Sequence, residues 1–525
     1  MEDKKIETSM MRGAVVLVIT SFIVKILSAV YRVPFQNLVG DEGFYVYQQI
    51  YPIYGIAMTL ALSGLPVYLS KLIASKESQE EQEKVVSYFF IVVSALSLVA
   101  FVILYLGAGL ISRSMGDASL SPLIKVVSFI FLLVPFLSTY RGFYQGQMEM
   151  KPTAISQLAE QGSRVIVILA AGYLFMVNEW SVYKMGALAT SGALIGGACG
   201  LLVLFIYGRK HRVFVWPKKI DKPRFLFFAK RLIIEGGTLC FFSAYLVVFQ
   251  LVDSFTIKQY LVFGGLDETS AKIAKGVFDR GQPIVQLGLV IAVSMTATFL
   301  PTLTRFFVTK QKEKYQQTVL SYLKVSTAIA SAAAVGLALI LPYMNVALFS
   351  DNSGEITLSL FMLSVFFVSM IQSYQTIYQS QSLVKYQFVA ALMGLFVKII
   401  FTPLMTYYFK TEGASLSTLF GLIICLLVMH QYLIKRENKI KLPKGFVVKL
   451  SLNLTAMGGI LVMYRVVLEE MGWSNFGRGA SLMIALLGVL IGFSIYLMGM
   501  IQSKLFTKTE WEMIPFGSKI IKYFY

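Results

Sequence analysis

The sequence predicts an all-α polytopic membrane protein of about fourteen transmembrane helices, built as two six-helix lobes in parallel repeat plus two C-terminal helices. Three observations carry that expectation. The 525 residues are 56% hydrophobic and 14% charged, with mean hydropathy +0.69, too apolar for a soluble fold of this length. Apolar runs of about 20 residues recur from end to end without the alternation of a barrel. Short polar elements return at an offset of about 234 residues.

The first run, about 13–38, follows a charged N-terminus as a signal peptide would, but it continues through Lys25 and Arg32 without a small-residue cleavage site. It reads as a retained helix. Runs at about 45–73, 85–112, 122–147, 154–178 and 185–207 complete the first lobe. After "GRKHRVFVWPKKIDKPRFLFFAKR" come about 232–257, 281–305, 318–349, 356–380, 386–409 and 413–434, then 447–468 and 480–501. The domains are accordingly 1–210 (N-lobe), 211–231 (basic cytoplasmic linker), 232–436 (C-lobe) and 437–525 (the last two helices and a tail).

The offset ties the lobes together. "YRGFYQGQMEMK" at Tyr140 returns as "YQTIYQSQSLVK" at Tyr374; "GLPVYLSK" at Gly64 faces "FLPTLTRF" at Phe299; "SRVIVI" at Ser163 faces "VKIIFT" at Val397. The last pair puts Arg164 and Lys398 at equivalent intramembrane positions. Because six spans precede the repeat, both lobes enter from the same side, giving a parallel repeat about an axis along the membrane normal.

Net charge is +19, and its placement argues for membrane headgroups and against nucleic acid. Alternate loops carry Lys71, Lys76 and Lys84, then Arg141 and Lys151, then the basic linker, Arg305 to Lys314 and "KRENKIKLPK". The intervening loops "VGDEG", "SDNSGE" and "EEMGWSNFGR" are acidic or nearly neutral. This is the positive-inside pattern, with both termini in the cytoplasm and basic loops facing anionic lipids. Cys199, Cys240 and Cys425 lie in apolar runs with only His211 and His430 besides, so no metal or cofactor is expected.

A cation at bilayer depth costs about 2.5–3.5 kcal/mol on insertion scales and normally faces a wet cavity or a partner. Lys25, Arg32, Arg164, Arg280 and Lys398 occupy such positions. Lys324 and Arg465, nearer span ends, read as snorkelling. Glu160, four residues before Arg164, suggests a pair within one helix. Asp253 would pair with Arg280 or bind a coupling cation, and Glu235 is the other carboxylate open to ion coupling. A surplus of cations suits a phosphate or pyrophosphate, which Arg meets with a fork of donors and Lys with a point charge.

At "YRGFYQGQMEMKPTAISQLAEQGSRV", "VFDRGQPIVQLG" and "VKILSAVYRVPFQNLVGDEGFYVYQ" the chain resembles the stage V sporulation protein B and lipid II flippase branch of the multidrug/oligosaccharidyl-lipid/polysaccharide exporter superfamily. The resemblance spans essentially the whole chain. It implies fourteen helices and outward movement of undecaprenyl-pyrophosphate-linked sugars across the cytoplasmic membrane. It also implies functional cations at Lys25 and Arg280, with Arg32 fitting the sporulation-protein spacing. "YPIYGIAMTLALSGLP" lacks the arginine that flippases carry in the second helix, which puts the peptidoglycan precursor as the specific cargo in doubt.

The reading is a monomeric transporter, not an enzyme, that flips a lipid-linked oligosaccharide by alternating access. A cation-coupled multidrug antiporter of the same superfamily is the alternative; it would want carboxylates dominating the cavity. A glycosyltransferase or ligase would need acids or histidines on sizeable external loops, and "KQYLVFGGLDETSAKIAKGVFDR" is short and has no histidine. A scaffolding role leaves the intramembrane cations unexplained.

Overall fold

The computed structural model describes residues 20, 22–24, 26–209, 213, 221–381, 383–436, 440–473, 477–512 and 517. Lys25 lies outside them. The described residues are 89% helical, with no strand among them. Among the described residues, eleven helical runs are long and apolar enough to cross a membrane. Two of them contain a residue outside helical geometry, Gly40 (φ 68°, ψ −177°) and Lys410 (φ 52°, ψ −137°). Gly40 sits in a region that is essentially glycine-only, so the first two spans are joined where the chain has no Cβ to clash. The eighth expected span is divided at Leu289 into Gly281–Gly288 and Val290–Val308. These three breaks are where eleven runs and fourteen expected crossings differ.

The duplication is visible in the helix boundaries themselves. An eight-residue helix, Ser121–Ser128, is followed by a seventeen-residue one, Ile130–Gly146; Glu355–Met362 and Ser364–Ser380 repeat both lengths. Every boundary is displaced by 234 residues (355 − 121 and 380 − 146). The breaks share one geometry, with φ −61° and ψ −23° at Phe129 and φ −62° and ψ −21° at Leu363. The Tyr/Gln elements occupy the ends of the seventeen-residue helices, and Tyr144 and Tyr378 are each 1% exposed.

The chain divides into two compact units, Met1–Asp279 and Arg280–Tyr525. That boundary differs from the one read at the basic linker 211–231. In the first unit we label α1 (Arg32–Thr59), α2 (Ile130–Gly146), α3 (Met150–Asn178), α4 (Val182–Gly208), α5 (Tyr245–Phe263) and α6 (Glu268–Asp279). Close approach through glycine attaches α5 and α6 to this unit. A Cβ on Gly276 would stand 2.2 Å from the Asp41 carbonyl oxygen, and one on Gly55 would stand 2.7 Å from Val247. Likewise, a Cβ on Gly196 of α4 would meet the Glu160 carbonyl at 2.5 Å, so α3 and α4 pack backbone to backbone.

In the second unit the elements used below are α7 (Lys312–Phe349), α8 (Ser364–Ser380), α9 (Val384–Arg436), α10 (Lys444–Glu470) and α11 (Arg478–Gln502). Here the snorkelling expectation is corrected. Lys324 is bound to Glu510 at 2.9 Å, and Arg465 to Glu355 and Glu469, each at 2.7 Å. The acids come from the C-terminal tail, from the start of the Glu355–Met362 helix and from one turn along α10, so two of these three pairings were invisible to a scan within one helix.

Candidate functional site

Two fully buried arginines meet in a cage of tyrosines in the first unit. Tyr47, Tyr51 and Tyr54 stand at i, i+4 and i+7 along α1, hence on one face. Tyr31 precedes the same helix. Arg164, ten residues after α3 has passed its first turn, donates from Nη2 to the hydroxyls of Tyr31 and Tyr47, both at 2.9 Å, and from Nη1 to Gln161 Oε1 at 3.2 Å. Its guanidinium carbon lies 4.0 Å from the centre of the Tyr54 ring.

Arg32 opens α1 and is 0% exposed. Its guanidinium lies 4.3 Å from the centre of the Tyr51 ring and 5.9 Å from that of Tyr31, two rings that Arg164 also approaches, at 5.7 and 5.4 Å. Cation–π attraction of this kind contributes about 2 kcal/mol when desolvated. It does not satisfy donors. Nε, Nη1 and Nη2 of Arg32 are all buried without a hydrogen-bond partner among the described residues. Leaving a charged donor in that state costs several kcal/mol. Neither Arg32 nor Arg164 forms an ion pair with a carboxylate among the described residues; Asp279, on which Arg32 acts only weakly, is itself bridged by Lys275 through both oxygens at 2.6 Å.

Arg164, Tyr47, Tyr51 and Tyr54 line a cleft with Ile50, Ala189, Thr190 and Ala193 whose interior space is about 10 Å³, the volume of about one water. The cage as a whole brings together two planar cations, four aromatic rings and their hydroxyls. A bulky headgroup requires the cleft to widen.

The remaining predicted site residues are placed differently. Arg280 is 1% exposed and held in a fork by Asp351, Nη1 to Oδ1 at 2.8 Å and Nη2 to Oδ2 at 2.9 Å. Lys398 is fully buried in α9 and donates to Thr418 Oγ1 at 2.7 Å. Asp253 is buried in α5, within electrostatic reach of Asp279. Glu235 is exposed and pairs with Arg231 at 2.8 Å, with the Tyr68 hydroxyl donating to it at 3.3 Å. Glu160 does not pair with Arg164. Its Oε2 takes Nη2 of Arg141 at 2.6 Å, with both side chains at most 1% exposed. Arg141, read from the sequence as a loop charge, is therefore a buried structural cation of α2, which also donates to Ser156 Oγ at 2.7 Å and to the Ala61 carbonyl at 3.2 Å.

With that geometry in hand, the comparisons with known proteins fall into line. Residues 10–307 match the family model described as "Polysaccharide biosynthesis protein". The chain belongs to the polysaccharide biosynthesis protein family. It is 33% identical to "Uncharacterized membrane protein YabM" of Bacillus subtilis (strain 168), over 98% of this chain and 96% of that one. "Lipid II flippase MurJ" of the same organism is 26% identical, over 93% of this chain and 94% of its own. Among solved structures, "Lipid II flippase MurJ, inward closed conformation" shares the fold with a TM-score of 0.70 at 18% identity, covering 92% of this chain and 98% of that one. The multi-pass membrane character expected from the sequence agrees with these matches.

Within this family member the tyrosine cage is what sequence reasoning missed. Its signal was present: "YVYQQIYPIY", which starts at Tyr45, repeats tyrosine at helical spacing on the helix that Arg32 opens. The Arg141–Glu160 pair had no such signal, since its partners are 19 residues apart on different helices.

Proposed function

We propose that the protein is a flippase that carries a polyprenyl-pyrophosphate-linked oligosaccharide, a peptidoglycan or other polysaccharide precursor, from the cytoplasmic to the outer leaflet by alternating access. In this reading it acts as a monomer with both termini in the cytoplasm, its basic loops against anionic lipids. The observation that carries it is Arg32, fully buried beside Arg164 with three nitrogens that find no partner among the described residues. A pyrophosphate supplies the acceptors and the charge that this pair lacks. Lys25, Arg280 and Lys398 serve as further anion contacts, Arg280 after parting from Asp351, and Asp253 serves as the carboxylate for ion coupling. Outward movement of two negative charges is favoured by an inside-negative potential by about 2.3 kcal/mol per charge per 100 mV. A multidrug antiporter would need the opposite charge at this cage.

The test is depletion of the protein, alone and with any paralogue, complemented by wild type or Arg32→Ala, with lipid-linked precursors quantified on each leaflet. Accumulation on the cytoplasmic face that wild type reverses and Arg32→Ala does not is the expected result. Unchanged precursor pools, or full rescue by Arg32→Ala, would sink the reading.

A further inference from the structure

The 234-residue duplication sets two loops side by side for comparison. "GDAS" (116–119) and "SDNS" (350–353) follow equivalent helices, and both begin with a residue of positive φ, Gly116 at 79° and Ser350 at 75°. In each, the aspartate accepts from the backbone N–H two residues on, Asp117 from Ser119 at 3.1 Å and Asp351 from Ser353 at 2.8 Å. Their outward surroundings differ. Asp117 is 7% exposed and its Oδ2 is taken by the hydroxyls of Tyr183 at 2.7 Å and Tyr45 at 3.3 Å. Asp351 keeps 44% of its side chain exposed and opens onto a cavity of about 350 Å³, within the range of small-molecule sites.

That cavity is lined by Val346, Ser350, Asp351, Asn352, Trp473 and Arg478, among others. Its polar groups are held from behind. Asp351 is gripped by Arg280, and Asn345 Nδ2 donates to the Ser353 carbonyl at 2.9 Å. Asn352 Nδ2 donates to Glu355 at 2.6 Å, and Asn352 Oδ1 is buried without a partner among the described residues. Arg478 caps the end of α7 through Nε and Nη2 on the Ala347 and Leu348 carbonyls, leaving Nη1 unused among the described residues. Trp473 is fixed edge-on against Tyr343, ring centres 4.6 Å apart. A carboxylate, an amide and a guanidinium of fixed orientation beside an indole match a molecule that presents adjacent hydroxyls on a partly apolar ring. The first loop shows the same carboxylate position taken by hydroxyls.

We propose that this cavity is a carbohydrate subsite, in which Asp351, Asn352 and Arg478 bind the hydroxyls of one sugar against the wall formed by Trp473. By the charge of its loops it lies on the outer face, where it would hold a sugar of the cargo after translocation; that role rests on the flippase reading above. Sugar binding itself does not.

The experiment titrates purified full-length protein in nanodiscs with N-acetylglucosamine, glucose and galactose, followed by saturation-transfer NMR. Wild type should bind at least one saturably. Asn352→Ala and Trp473→Phe, checked for unchanged melting, should each weaken it about fivefold to tenfold, the loss of one hydrogen bond or one wall. No saturable binding of any of the three, or binding unchanged in both variants, overturns the subsite. If depletion leaves precursors undisturbed while the sugar binds and both variants weaken it, the flippase reading falls and the subsite stands.

Discussion

Arg141 and Arg32 are both 0% exposed within one unit, yet they are solved in opposite ways. Arg141 has a carboxylate at 2.6 Å, a serine hydroxyl and a backbone carbonyl. Arg32 has ring faces and nothing that accepts a hydrogen bond among the described residues. The first arrangement closes a local account of charge and ties α2 to α3. The second leaves charge unspent at a place where a fold gains nothing from it. What separates the two arginines is partnership, not burial.

The comparison breaks first at Glu160. Glu160→Gln removes the counter-charge and leaves Arg141 buried alone, so it should destabilise by about 3–5 kcal/mol, the penalty for splitting a buried pair. Thermal unfolding of the purified full-length protein measures it, and a loss below about 1 kcal/mol would show that Arg141 does not depend on its acid. Arg32→Met should do the reverse. Replacing an unpaired buried cation by an apolar chain of similar length should leave the melting temperature unchanged or raise it, while complementation is lost. A melting loss as large as that of Glu160→Gln would make Arg32 a structural residue and dissolve the contrast.

Much of this architecture could be read from residue order because lipid imposes it. Spans and the duplicated Tyr/Gln element follow from local composition, and the helix boundaries displaced by 234 residues bear out the duplication. Arg32 and Arg164 stood out as cations in apolar runs. What stayed hidden was partnership. Glu160 looked like the mate of Arg164 because one helical turn separates them, but helix rotation aims its carboxylate at α2. Lys324 found its acid 186 residues away. Such choices depend on how neighbouring helices are rotated about their axes, which apolar runs of near-uniform hydrophobicity do not encode.

Between the two extremes lies the Arg280–Asp351 fork, one partner buried and the other 44% exposed. Burial pushes the Asp351 carboxyl upward, but the hydrogen bonds from Arg280 and Ser353 and the charge of Arg280 outweigh it and hold it below its ordinary value. A depressed carboxyl contributes stability that is fully present above its unfolded value, near 3.9, and is lost as pH falls through the lower folded value. Melting temperature measured on the full-length protein from pH 6 down to about pH 3 should therefore fall more steeply in wild type than in Asp351→Asn, which has no carboxyl to protonate there. Solvent screening makes this the smallest of the three effects. Parallel curves would mean that Asp351 gains nothing from Arg280.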